Sequence, residues 1–335
     1  MSGAATTNAA AVRWGVLSTA KIGLNATIPG IQKSRNGRLA AIASRDIARA
    51  EAVAAREPGA KVYGNYEALL DDPDIEAVYI PLPNALHAEW AIRAAEHGKH
   101  VLCEKPLAPT AAEVRRVIDA CDRAGVLLME AFMYRFHPQI RWALEQIRQG
   151  RIGDVRLVRS AFHFDISARP QDIRLQAALA GGSLMDIGCY PLNFSRAVFG
   201  GAPAGAAAQV VVTPGAEVET RMGAVLDFGA GRMSMIDSSF QLPRQFFAEV
   251  WGERGRVLIP SPFTPGIAET VVRIEVGDEA TERRFAAVDQ YQLEVEHFAE
   301  CIRNGQPVAL PPADALEQAE AIEMIYRAAG YPWPR

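Results

Sequence analysis

Up to about residue 130 the chain alternates short, β-branched apolar runs with longer amphipathic segments. The runs at 12–17, 39–44, 75–81, 100–103 and 126–129 read as buried strands. The segments 22–33, 46–56, 85–97 and 110–124 read as helices. Parallel neighbours need a crossover between them, so this alternation predicts βαβ units and a doubly wound parallel sheet. Ligands of such sheets bind beyond the carboxyl ends of the strands, which directs attention to the residues just after each run.

The rhythm changes near Phe132. A helix is expected over 138–149 and a strand over 155–164, followed by helix-like sequence from about Gly182. Strands then dominate, at 221–228, 232–240 and 246–251, with Gly229-Ala230-Gly231 as a hairpin turn. Strands joined by tight turns make an antiparallel sheet. The expected organisation is a leader over 1–11, an α/β nucleotide-binding domain over 12–132, and an α+β domain over 133–335. The second domain is built on a large, open, mostly antiparallel sheet for substrate binding and self-association. A final helix over 313–329 is expected to pack back on the first domain.

At 335 residues the chain is long enough for two cored domains. Its 35 basic and 39 acidic side chains leave a net charge of -4, which excludes the basic surplus of a nucleic-acid binder. No run of 18 apolar residues is present to span a membrane. The leader MSGAATTNAAA lacks the basic and apolar regions of a secretory signal, so a cytoplasmic protein is expected. Cys103, Cys121, Cys189 and Cys301 are widely spaced and read as reduced thiols rather than a zinc site or disulfides. No metal is expected, because no clustered ligand motif occurs.

The first run leads into Ser18-Thr19-Ala20-Lys21-Ile22-Gly23, the slot of a dinucleotide-binding turn. Ser18 and Ala20 stand where the first two glycines of that motif belong. Small side chains still let the backbone approach a pyrophosphate, and the helix start still offers free N–H groups. The second run ends in Ser44-Arg45-Asp46. A hydroxyl and a guanidinium there suit a ribose 2′-phosphate, which favours NADP, with NAD as the alternative.

Three blocks carry a family resemblance: Pro81-Leu82-Pro83-Asn84-Ala85-Leu86-His87, the run from Gly98 to Pro106 (GKHVLCEKP), and the run from Gly181 to Pro191 (GGSLMDIGCYP). Together they resemble the glucose–fructose oxidoreductase, inositol dehydrogenase and rhizopine-catabolism family, within it the sugar and dihydrodiol dehydrogenase branch. The resemblance implies Lys105 beside the nicotinamide and the reacting hydroxyl, with Glu104 ordering that loop. It implies Leu82, Pro83, Asn84 and His87 along the cofactor, and Arg135, after Tyr134, near the nicotinamide. Tyr190 and Asp186 would serve catalysis. Separately from the resemblance, Arg174 in the loop before Gly181 and His163 at the end of a second-domain strand are placed to join them in binding substrate.

The residue types make chemical sense. Carbinol oxidation needs a base for the O–H proton as hydride leaves. A free Tyr, with a pKa of about 10, is too weakly acidic to serve near neutrality, so Lys105 is expected to favour the Tyr190 phenolate. Asp186, Tyr190 and Asn193 are spaced to share a helix face that would present an acceptor, an acid/base and an amide to a polyol. The function expected is an NADP-dependent oxidoreductase that takes hydride from C1 of an aldopyranose to give an aldonolactone. It either releases the cofactor or keeps it to reduce a second sugar. The alternatives are a trans-dihydrodiol dehydrogenase and a non-catalytic NADP-sensing regulator. The resemblance also implies a homodimer or larger homo-oligomer through the second sheet.

Overall fold

The computed structural model describes residues 11–333. The proposed leader lies outside them except for Ala11, which is buried and whose carbonyl accepts from Arg303 Nη2 at 2.9 Å. The first sheet holds β1 (Val12–Leu17), β2 (Gly37–Ala43), β3 (Lys61–Tyr63), β4 (Ala77–Ile80), β5 (His100–Glu104) and β6 (Leu128–Ala131). All its pairings are parallel, in the order β3-β2-β1-β4-β5-β6. The order reverses beside β1, so a crevice opens between the carboxyl ends of β1 and β4. β4 is buried along its whole length, as expected of a strand covered on both faces.

Helices α1 (Ile28–Lys33), α2 (Ile47–Ala54), α3 (Tyr66–Leu70), α4 (Asn84–Glu96) and α5 (Ala111–Ala124) flank this sheet. A π-helical turn, Gly23–Thr27, precedes α1. Thr110 caps α5 by accepting the Glu113 N–H, and left-handed Gly125 closes it, so both ends of that helix are written in sequence.

The chain crosses to the second domain through α6 (Pro138–Arg148) and β7 (Val155–His163). A loop then leads to one continuous helical stretch, a π-helical Leu184–Gly188 followed by α7 (Cys189–Phe199). Next come β8 (Gly205–Val211), β9 (Arg221–Asp227), β10 (Met233–Ser239), β11 (Gln245–Gly252), β12 (Gly255–Ile259), β13 (Thr270–Val276) and β14 (Glu279–Phe285). Their eight-stranded sheet has the order β14-β13-β12-β11-β7-β10-β9-β8, antiparallel except between β7 and β10. In β9, buried Met222, Ala224 and Leu226 alternate with exposed residues, so only one face of this sheet is covered.

Two last helices tie the domains together. α8 (Gln290–Asn304) packs on α1 and β1, with Trp14 of β1 against Phe298 at 5.7 Å and Lys33 of α1 paired to Asp289 at 2.9 Å. α9 (Pro312–Ala328) reaches the first domain through Ala111 N–H to Glu323 at 2.9 Å and Arg115 to Glu320 at 3.1 Å. It reaches the second through Gln318 Nε2, which donates to the Cys189 carbonyl at 2.8 Å. All four cysteines are free and buried. No helix among the described residues is long and apolar enough to cross a membrane.

Candidate active site

The turn after β1 adopts the conformation its missing glycine would favour. Ser18 has φ +115, a left-handed value that L side chains resist, and its Oγ accepts the Ala20 N–H at 3.2 Å. Thr19 is buried, with its Oγ1 3.3 Å from Ser44 Oγ, and this joins the ends of β1 and β2. Lys21 and Ile22 are exposed at the mouth of the crevice. Arg45 is exposed, and Arg49, one helical turn later, donates to the Thr19 carbonyl at 2.9 Å. Arg49 escaped the sequence reading, although its spacing from Arg45 was the available signal. Asp46 heads α2 but makes no side-chain cap. The donors suit a dinucleotide phosphate: a small-residue turn, a helix start and two guanidiniums.

Across the crevice, β5 delivers Glu104 and Lys105. Lys105 Nζ donates to the Asp186 carbonyl at 2.6 Å and to its Oδ1 at 3.2 Å. It also stands 5.1 Å from the centre of the Tyr190 ring. Burial would lower its pKa, but the Asp186 carboxylate holds the ammonium above its ordinary value. The other Asp186 oxygen accepts from Arg174 Nε at 2.6 Å, and Arg174 Nη1 reaches Asp172 at 3.1 Å. Burial works against the Asp186 anion, yet Arg174 and Lys105 hold its carboxyl down to about 2. Two cations and two carboxylates therefore face one another where the two domains meet. Asn84, at the start of α4, donates to the Ala180 carbonyl at 2.8 Å and draws the loop bearing Arg174 over this group.

Lys105, Asp186, Tyr190 and Arg174 thus come together, but several sequence expectations need correction. Tyr190 is not shifted toward the phenolate. Burial drives its pKa well above 10, inside a ring of Phe132, Tyr134, Phe162 and Phe263 at 5.4–5.9 Å. The Lys105 charge is spent on Asp186. The Tyr190 hydroxyl donates to Met133 Sδ at 3.6 Å, a weak acceptor that leaves it free to turn to a better one.

Asn193 is fully buried rather than offered to a polyol, and its Oδ1 accepts from Tyr134 at 2.6 Å and Arg135 at 3.1 Å. Arg135 is therefore engaged with α7. His87 does not line the crevice either. Its two ring nitrogens lie 2.7 Å from the Leu82 and Pro106 carbonyls, and burial lowers its pKa to about 4. It pins the loop after β4, including Pro83, to the loop that carries Lys105. Glu104 accepts from Tyr79 at 2.5 Å, and its carboxyl is pushed up by burial, which supports the loop from below.

His163 fails as a substrate ligand by strand parity. Phe162 faces Tyr190, so the next side chain points to the opposite face of the sheet, where His163 pairs with Asp237.

One unpredicted acid stands beside the lysine loop: Glu130, at the end of β6, accepts the Leu107 N–H at 2.8 Å. Burial pushes its carboxyl up to about 8. Among the described residues no group of three His, Cys, Asp or Glu side chains is placed to hold a metal ion.

A parallel sheet with a phosphate-type turn and, at its junction with a second domain, a lysine-centred group of charges defines the dinucleotide-dependent oxidoreductase class. Comparison with known proteins gives the family. Residues 12–132 match the model of the oxidoreductase family with an NAD-binding Rossmann fold, and 140–258 match its GFO/IDH/MocA C-terminal domain. The chain belongs to the GFO/IDH/MocA oxidoreductase family. It is 42% identical over 318 residues to D-xylose 1-dehydrogenase (NADP(+)) 2 of Haloferax volcanii, covering 94% of this chain and 97% of that one. The solved 3-ketoreductase of Actinomadura kijaniata, in complex with NADP and TDP-benzene, superposes with a TM-score of 0.89 at 32% identity. That match covers 95% of this chain and 98% of the other. The aldose–aldose oxidoreductase of Caulobacter crescentus, complexed with glycerol, gives 0.89 at 30% identity, covering 96% and 98%.

Proposed function

We propose that this chain is an NADP-dependent oxidoreductase that oxidises an aldopyranose at C1 to the aldonolactone. The observation that carries the reading is Lys105 held between Asp186 and the face of Tyr190 at the domain junction. The xylose dehydrogenase relative supports the substrate class and the cofactor. Each cation of the Lys105–Arg174 group already faces a carboxylate, which suits a neutral sugar better than a sugar carrying a diphosphate.

The backbone from Ser18 to Ile22 and the side chains of Ser44, Arg45 and Arg49 would hold the dinucleotide, the guanidiniums taking the 2′-phosphate. Bound NADP+ supplies the hydride acceptor. Lys105 and the re-aimed Tyr190 hydroxyl bind the C1 hydroxyl, and Asp186 and Arg174 accept and donate to its neighbours. The proton of the C1 hydroxyl would pass to the Tyr190–Lys105 pair, which must first be deprotonated, as the hydrogen on C1 leaves as hydride to the nicotinamide. The loop bearing Arg174 keeps water from the reacting carbon.

We also propose that the uncovered face of the second sheet pairs with a second copy of the chain. Exposed Val225, Met233 and Met235 lie on it.

The test is absorbance at the reduced-nicotinamide band after desalted protein is mixed with D-xylose or D-glucose, with and without NADP+. A band that grows only with added NADP+ supports a dissociating dehydrogenase. A band formed without it indicates retained cofactor and sugar–sugar exchange. Turnover of trans-dihydrodiols but of no aldose overturns the substrate assignment.

A further inference from the structure

Glu219, just before β9, is fully buried beneath the start of the helix that carries Asp186 and Tyr190. Its Oε2 accepts the Ser183 N–H at 2.5 Å, and its Oε1 accepts the Leu184 N–H at 2.9 Å. The same Oε1 also accepts from the Tyr326 hydroxyl of α9 at 2.8 Å. The backbone joins in, since the Ser183 N–H lies 3.0 Å from the Glu219 carbonyl.

A helix opens with N–H groups that have no partner in its own ladder. A side chain at the helix's own N-cap usually satisfies some of them, but Ser183 makes no such cap. Its Oγ is turned to Ser238 Oγ at 3.0 Å. The cap is instead supplied in trans by the two carboxyl oxygens of Glu219, whose burial pushes the carboxyl up to about 7 against the pull of these three donors.

The two glycines before Ser183 fit this arrangement. Gly182 has φ +125, and a Cβ there would lie 2.8 Å from Glu219 Oε1 and 3.1 Å from the Tyr326 hydroxyl. A Cβ on Gly181 would overlap the Arg174 carbonyl oxygen, which accepts the Gly182 N–H at 2.8 Å. The double glycine thus lets a carboxylate from one side and the substrate loop from the other close on the first turn. Asp186 follows within that turn, and its own N–H donates to the Gly182 carbonyl at 3.0 Å.

We propose that Glu219 is a positioning residue for the reaction, fixing through Ser183 and Leu184 the direction in which the helix presents Asp186 and Tyr190 to Lys105 and the sugar. It touches neither substrate nor cofactor. This rests on the sugar oxidoreductase reading given above.

The test uses full-length Glu219→Gln, which keeps one acceptor, with Glu219→Ala and Tyr326→Phe. Each is assayed for kcat and KM with D-xylose, for NADPH binding by fluorescence titration, and for amide exchange at residues 183–190. A shift of about 1 Å at a reacting group costs about 100-fold, so Glu219→Ala is expected to lose about that factor in kcat and Glu219→Gln about tenfold. Tyr326→Phe should lose about threefold, since it removes one of three donors.

NADPH affinity should stay within about twofold in all three, because the cofactor turn is on the other domain. Amide exchange at Ser183 and Leu184 should accelerate in step with the kcat loss. Wild-type kcat in Glu219→Gln, or a kcat loss matched by an equal loss of NADPH binding, overturns the proposal. If Glu219→Ala does not fold, Glu219→Gln decides alone. Exchange needs no turnover, so a wild-type protein inactive on every aldose refutes the substrate reading, while unchanged exchange at 183–184 in Glu219→Gln still refutes the anchor.

Discussion

The two ends of the crevice are built in opposite ways. At the nucleotide end the contacts come from a turn of small residues, with scattered side-chain hydrogen bonds of 2.9–3.4 Å and with Lys21, Ile22 and Arg45 open to solvent. At the proposed sugar end a largely buried Lys105–Asp186 pair and a half-exposed Arg174 form ion pairs of 2.6–3.2 Å beside a packed aromatic ring. A site made of backbone tolerates changes of side chain, which is how Ser18 and Ala20 can replace two motif glycines. A site made of paired buried charges does not, because removing one partner strands the other.

Substitution at each end tests that contrast, and the largest effect is expected at Lys105. Lys105→Met leaves Asp186 without its ammonium and should lower kcat with D-xylose by about 1,000-fold or more, with NADPH affinity nearly unchanged. A tenfold loss would mean that the sugar end is no more demanding than the turn. The proton acceptor comes next. Tyr190 and Lys105 are both held protonated at neutral pH, by burial and by Asp186 respectively. The deprotonated form therefore grows with pH, and kcat for oxidation should rise about tenfold per unit between pH 7 and 9. The reverse reduction should be flat over the same window. An oxidation rate level from pH 7 upward would show that substrate binding reorganises the pair.

Arg174→Ala removes a side chain that the proposed reading sets against the sugar rather than the hydride. It should raise the D-xylose KM about tenfold with kcat within about threefold. An unchanged KM removes Arg174 from the substrate site. The smallest effect belongs to the turn. Ser18→Gly relieves a left-handed serine while losing its bond to Ala20, so thermal stability should rise by at most about 1 kcal/mol. NADPH affinity should move by less than about threefold. A large loss would show that the Ser18 hydroxyl, not the backbone, binds the cofactor.

The same contrast explains what could be read from the sequence. β1 is legible at its exact bounds, because apolar residues buried on both faces, interrupted only by half-buried Arg13, leave little choice of register. The three-residue β3 and the five-residue α3 were missed, being too short to show a period. α8 was missed because it buries Glu294 and Glu296 against the first domain, so charge sits where a helix pattern expects apolar residues.

In the site, the meeting of Lys105, Asp186 and Tyr190 was legible from motif blocks. Side-chain direction was not. Asn193 and Arg135 turn to each other, His87 turns to two carbonyls, and His163 falls on the wrong parity of β7. Glu219 carried no local signal at all, since its partners lie 35 and more residues away.

α9 holds the catalytic helix through Gln318 at Cys189 and, by way of Tyr326, through Glu219. It is also made late in translation. A ribosome that has finished both sheets still carries a chain whose Cys189 carbonyl and Glu219 carboxylate await their donors. The late helix therefore completes both domains at once, because Ala315 and Ala319 also close the core of the first sheet's helical layer. Premature termination within 312–328 should abolish turnover and weaken cofactor binding together.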